Sequence, residues 1–232
     1  MPSEISHKMT NYGGIIDVEV ILMLRIGTKE YYEAYAKISL IDIYNKKLIS
    51  AKTIGKESPD IQDDLNSIGI AVTRSSSNAE CMTDAITNNL FNKGYKLDEL
   101  KSLINKKYKS FNGSIGQIDN FNYISPYKGS ISTSTTIENI KNRIIEKSKL
   151  FYDHYKIYNE NDLYIFTGNS TLNICDIQEV IDNLQNIKIP FDKIFINCID
   201  KIFILNKNDI VQKNIDTEAL RNYKSEAINY KE

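Results

Sequence analysis

Residues 32–54 read YEAYAKISLIDIYNKKLISAKTI. Tyr32 to Ile43 is rich in β-branched and aromatic residues and predicts a strand. Asn45-Lys46-Lys47 then predicts a turn, and Leu48 to Ile54 a return strand. Upstream, Ile15 to Ile26 alternates: Ile16, Val18, Val20, Leu22 and Leu24 share one face, with Asp17, Glu19 and Arg25 on the other. Gly27-Thr28-Lys29 separates the two runs. Three consecutive strands with short connections predict an antiparallel meander, and this decides the expected fold.

Beyond it, Pro59 and Asp60 close the meander, and Ile61, Leu65, Ile68 and Val72 predict a helix over 60–73, weakened by Gly69. Ser77-Asn78-Ala79-Glu80 has the form of a capping box, followed by the stripe Met82, Ala85, Ile86, Leu90 and a stop at Gly94. Leu97, Leu100 and Ile104 mark a further helix ending near Tyr108. Residues 109–134 read as a long loop or a pair of short strands, serving as a contacting surface or as a plain linker. Thr135-Thr136-Ile137-Glu138 opens a helix over 136–156, and Leu163 to Thr167 is a continuous apolar run suited to a central strand. Ile177, Val180, Ile181 and Leu184 predict another helix. Ile194–Ile199, Ile202–Leu205 and Ile210–Ile215 predict a second meander, and 217–232 a surface helix or tail.

The expected fold class is α+β (mixed α/β): two antiparallel β-meanders with helices packed on the sheets. The expected organisation is a flexible N-terminus over 1–13, a meander plus helices over 14–108, a loop over 109–134, an αβα-meander unit over 135–216 and a tail over 217–232. A single compact domain over 14–216 is the alternative.

The 232 residues carry 29 Lys+Arg against 30 Asp+Glu, a formal net charge of -1. That balance argues against a general nucleic-acid binder or a polybasic membrane-surface protein. At 41% hydrophobic and 25% charged the chain is globular in composition. Abundant Asn, Ile and Lys suggest an AT-rich genome. Met1-Pro2-Ser3-Glu4 does not open a leader, and the run Val20 to Leu24 is far shorter than the roughly 20 residues a membrane span needs. The expected location is soluble: periplasm or cell surface if a leader was removed, otherwise cytoplasm. Cys81, Cys175 and Cys198 do not make a disulfide framework, although a Cys175–Cys198 pair stays open in an oxidising compartment. With only His7 and His154, no metal site or other cofactor is expected.

Phosphate-loop and dinucleotide patterns are absent. Gly168-Asn169-Ser170 lies between a strand and a helix, where an anion can sit, but one glycine is also an ordinary turn. Ser132-Thr133-Ser134 abuts a helix cap and lacks the later Glu-x-Glu of ADP-ribosyltransferases. Asp153-His154 reads as a solvated helix pair more readily than as part of a triad. Asp17 and Glu19 are either an acid pair or charges that blunt an edge strand. The aromatic residues Tyr31, Tyr32, Tyr35 and Tyr44, with Phe111, Phe121 and Tyr123 in the loop, form the candidate partner-binding set, against cross-strand packing as the alternative.

Tyr31 to Lys56, Asp63-Asp64-Leu65-Asn66-Ser67-Ile68, Met82 to Tyr95 and the helix leading to Asp162-Leu163-Tyr164-Ile165-Phe166-Thr167-Gly168 together resemble a family. It is the small α/β domain of bacterial envelope proteins: the curli-secretion lipoprotein CsgG, the activator LpoB and the N-terminal domain of TolB. The resemblance covers about half the chain in patches and lacks a lipobox cysteine. It implies a non-enzymatic protein-interaction or assembly module of a cell envelope, with a protein partner or self-association; the charge balance and the short apolar runs add the expectation of no nucleic acid and no transmembrane segment. The alternative is an enzyme or nucleotide-binding protein of a mobile element or virus that uses the turn at Gly168.

Overall fold

A computed structural model of the chain describes residues 28–54, 58–76, 78–118, 121–125, 132–168, 171–206 and 209–230. The side chains of 78, 79, 81, 84, 88, 92, 118 and 121 lie outside the description, as does the predicted strand at 15–26.

The run Glu160-Asn-Asp-Leu-Tyr-Ile-Phe166 has five consecutive buried residues, Asn161 to Ile165. A strand buried on both faces must have neighbours on both edges and layers on both sides. It has them. The main sheet runs β1 (Lys52–Thr53), β2 (Ile61–Asp63), β3 (Ile68–Arg74), β6 (Glu160–Phe166), β7 (Lys193–Asn197), β8 (Lys201–Asn206) and β9 (Asp209–Asn214) in that spatial order. β3, β6 and β7 are parallel, and the pairs on either side of them are antiparallel. A separate hairpin pairs β4 (Ser114–Ile118) with β5 (Phe121–Ser125).

Among the described residues six helices pack on these strands. One face carries α1 (Lys29–Ile43) and α6 (Thr217–Asn229), which bury Tyr35, Leu40 and Tyr223 against Ile70, Tyr164 and Phe195. The other face carries α4 (Thr133–His154) and α5 (Ile174–Asp182), which bury Ile140, Ile144, Ile177 and Val180 against Leu163, Ile165 and Ile196. α2 (Asn78–Leu90), α3 (Leu97–Lys107) and the β4–β5 hairpin enclose a smaller core of Ile86, Leu90, Leu100 and Ile104. The helix starts follow local chemistry. The Ser132 hydroxyl accepts from the Thr135 amide at 3.2 Å, Asn173 from Cys175 at 2.8 Å, and Asp216 from Ala219 at 2.8 Å.

The first meander is therefore corrected, while the second stands as β7–β8–β9. Tyr32–Ile43 is helical and packed between the sheet and α6, so residues on almost every face of it are buried and no single apolar stripe marks it. The expected return strand is a 3-10 turn at Lys46–Ser50 followed by the two residues of β1. The expected helix over 60–73 is the β2–β3 hairpin. Leu65, placed in its apolar stripe, is exposed near the hairpin turn. Gly69 sits inside β3 because a Cβ there would lie 2.5 Å from the Tyr158 ring and 2.6 Å from that of Pro59. Among the described residues no helix is long and apolar enough to cross a membrane.

Candidate functional site

Parallel strands bring their carboxyl ends to one side of the sheet, where open α/β sheets form ligand crevices. Here the register aligns Arg74 of β3 with Phe166 of β6, and Phe166 with Asn197 of β7. The chain leaves each strand under control. The Ser75 amide donates to the Phe166 carbonyl at 2.9 Å, and the Thr167 amide to the Asn197 carbonyl at 2.9 Å. The Asn197 side chain is fixed twice: Nδ2 donates to the Tyr164 hydroxyl at 2.7 Å, and Oδ1 accepts from the Ile199 amide at 2.9 Å. Ile199 has φ +70°, a left-handed conformation that costs a β-branched residue roughly 1–3 kcal/mol.

These strand ends floor a cleft of about 250 Å³. α1 supplies Tyr32, which packs edge-on to Phe166 at 4.8 Å with the Arg74 guanidinium 4.7 Å above its ring. Arg74 and, from α6, Lys224 bring positive charge, and Ser75, Ser76 and Thr167 bring hydroxyls. Gly168 lies open at the rim, 3.6 Å from Glu80 Oε1 for a Cβ built there.

A second pocket of about 310 Å³ shares Tyr32, Arg74 and Ser76 with the first and adds Lys29, Glu33 and Arg143. Glu33 and Asp60 are nearly fully buried, and Lys29 Nζ sits 3.3 Å and 2.9 Å from their oxygens. Asp60 is locked by the Val72 amide, which donates to Oδ2 at 2.8 Å. Burial, then the neighbouring Asp60 charge, pushes the Glu33 carboxyl up to about 7, against the pull of Lys29. Lys29 is held above its ordinary value: burial acts against it, but the two carboxylates prevail. Behind them, burial lowers Lys147 and raises Tyr155, whose hydroxyl has no hydrogen-bond partner among the described residues. A phosphate group entering here would meet Lys29, Arg74 and Arg143 beside a carboxyl able to hold or release a proton near neutrality.

The chain matches no family model, no curated protein and no solved structure. Function is therefore read from the site alone.

The structure joins two separate parts of the sequence reading. Tyr31, Tyr32 and Tyr35 line the same cleft as Gly168, with Tyr31 and Tyr35 buried and Tyr32 half-buried. Asn169 and Ser170 lie outside the described residues. Tyr44 is elsewhere, packed on Phe195 at 5.0 Å and donating to Glu160. Phe111 packs on the smaller core, Tyr123 is 43% exposed on β5, and the Phe121 side chain lies outside the description. His154 ends α4 exposed, Ser132 caps that helix, and Asp17, Glu19 and His7 lie outside the described residues. Cys175 and Cys198 are both free thiols, and burial pushes Cys198 up to about 12. Lys29, Glu33, Asp60, Arg74, Arg143 and Lys224 escaped the sequence reading. The signal available was Arg74-Ser75-Ser76 directly after the apolar run Ile68–Val72, hidden once that run was read as helix.

Proposed function

We propose that the protein binds a nucleotide in the crevice at the carboxyl ends of β3, β6 and β7. The observation that carries this is the alignment of Arg74, Phe166 and Asn197 under Tyr32, with Lys224 and three hydroxyls around them. The aromatic wall suits a base, and cations with hydroxyls suit phosphate. The phosphate end would extend into the Lys29–Arg143 pocket. Isothermal titration with ATP and with a dinucleotide is expected to show saturable binding. Arg74→Ala should weaken it about tenfold or more, as losing a charge-assisted contact does. Equal binding by Arg74→Ala, or none by the native chain at millimolar ligand, would refute the proposal.

A second reading, that the bound phosphoester is also cleaved, is favoured by the buried Glu33–Asp60 pair. Mg²⁺ is commonly held by one or two carboxylates together with the ligand's own phosphate oxygens. Divalent cation delivered with the phosphate would take over the neutralising role of Lys29. Release of product from a labelled dinucleotide is then expected only with Mg²⁺, and Glu33→Gln should abolish it while leaving the fold intact. Turnover that persists in Glu33→Gln would exclude the pair as its source.

A further inference from the structure

Lined by other residues of the same two helices that border the strand-end crevice, a groove of about 950 Å³ lies between α1, the 3-10 turn and α6. Its apolar floor comes from Ile38 and Ile41 on α1, with Ala219 opposite and Ile49 on the 3-10 turn, the last 74% exposed. Lining positions recur along α6 from Asp216 to Tyr230, so the groove follows that helix over about four turns, roughly 20 Å. The polar rim is acidic: Asp42, Asp216, Glu218 and Glu226. Against them stand Lys46 and Lys37, and the Lys37 ammonium is turned inward, donating to the Ala51 carbonyl and the Tyr230 hydroxyl.

We propose that this groove docks a basic amphipathic helix of a partner protein. Two helices already form its walls, and a third can set its apolar ridge between them. The partner's apolar stripe would cover Ile38, Ile41 and Ile49, and its lysines or arginines would face Glu218 and Glu226. Charge selects the partner. A second copy of this chain, docking by the same face about a two-fold axis, would set acidic rim against acidic rim. This role is separate from nucleotide binding, since the groove and the crevice are lined by different residues.

The test uses the full chain and two fluorescein-labelled helical peptides of about 16 residues, long enough for four turns. One repeats Leu and Lys in an amphipathic pattern, and the other replaces every Lys by Glu. Fluorescence anisotropy is expected to show the Leu/Lys peptide binding about tenfold or more tightly than the Leu/Glu peptide. Ile49→Asp, at an exposed position, should weaken the Leu/Lys peptide with unchanged circular dichroism. The double change Glu218→Lys and Glu226→Lys should reverse the preference between the peptides. Equal binding of both peptides, no binding of either, or insensitivity to both variants would overturn the proposal. So would a dimer in sedimentation velocity that Ile49→Asp dissociates, because the occupant would then be a second copy.

Discussion

Asp162→Asn is expected to make the protein more stable above pH 8 and to flatten the decline of its stability between about pH 4 and pH 8. Asp162 is 1% exposed in β6. Its Oδ1 accepts from the Lys193 amide at 3.0 Å, while Oδ2 has no donor. Burial, and then the charge of Glu160 two residues away, pushes it up to about 8. Glu160 moves the other way: burial acts against its charge, but the Lys193 ammonium and the Tyr44 hydroxyl hold it below its ordinary value. The pair therefore carries one proton at neutral pH, on Asp162. The folded chain keeps that proton where the unfolded chain releases it near pH 4. Its contribution is complete below about pH 4, falls as pH rises and is lost above about pH 8. Glu33, raised to about 7, adds a loss of the same sign at lower pH. Asparagine keeps the acceptor for Lys193 and puts an N–H donor where the bare oxygen stands. Urea unfolding at pH 4 and pH 9 should show near-equal stabilities at the first. At the second, the variant should lead by on the order of a few kcal/mol. Parallel curves across that range would refute the assignment.

Phe195→Ala is expected to cost about 3–5 kcal/mol, which is a large share of an ordinary domain's stability of about 5–15 kcal/mol. Phe195 is fully buried in β7 and meets the Tyr44 ring edge-on at 5.0 Å and the Tyr164 ring, stacked, at 6.2 Å. Tyr164 cannot move to fill the gap, because its hydroxyl is bonded to Ser39 and Asn197. The cavity would persist, and the transition should fall by roughly 6–20 °C in a thermal melt. A loss below about 1 kcal/mol would mean that the α1 face of the sheet is not close-packed. Because Asn197 is held by Tyr164, the same variant should also weaken nucleotide binding.

Reading by residue pattern succeeded where a stripe or an unbroken apolar run stands out within one element. α3 shows Leu100 and Ile104 buried on one stripe, and β7, β8 and β9 follow from apolar runs parted by Asp200-Lys201 and Lys207-Asn208-Asp209. It failed where burial leaves no periodicity in a helix, or where apolar residues of a hairpin happen to fall at helical spacing. α1 buries Tyr31, Glu33, Ala34, Tyr35, Ala36 and Lys37 in near succession, so no stripe remains to mark a helix. Ile61, Ile68 and Val72 lie at helical spacing, yet their strands pair with each other and with β6, about 90 residues later, and their side chains pack under α1 and α6. The site shared that fate. Gly168 was legible as the end of a strand, but Arg74 and Asn197 join it only through the register of β3, β6 and β7.

By itself the sequence determined the mixed class, the later meander and the helical character of α2 to α5, while the caps it offered at Thr135 and Asp176 lie three residues past the observed ones at Ser132 and Asn173. These rest on residues close in the chain, where hydrogen bonds and periodicity act locally. The tertiary structure alone decided that Tyr32–Ile43 is a helix, that residues 60–73 form a hairpin, that parallel strands lie at the centre, and that Lys29, Glu33 and Asp60 meet. Those outcomes depend on which surfaces cover one another, because burial and charge pairing act through space and have no fixed spacing in the chain.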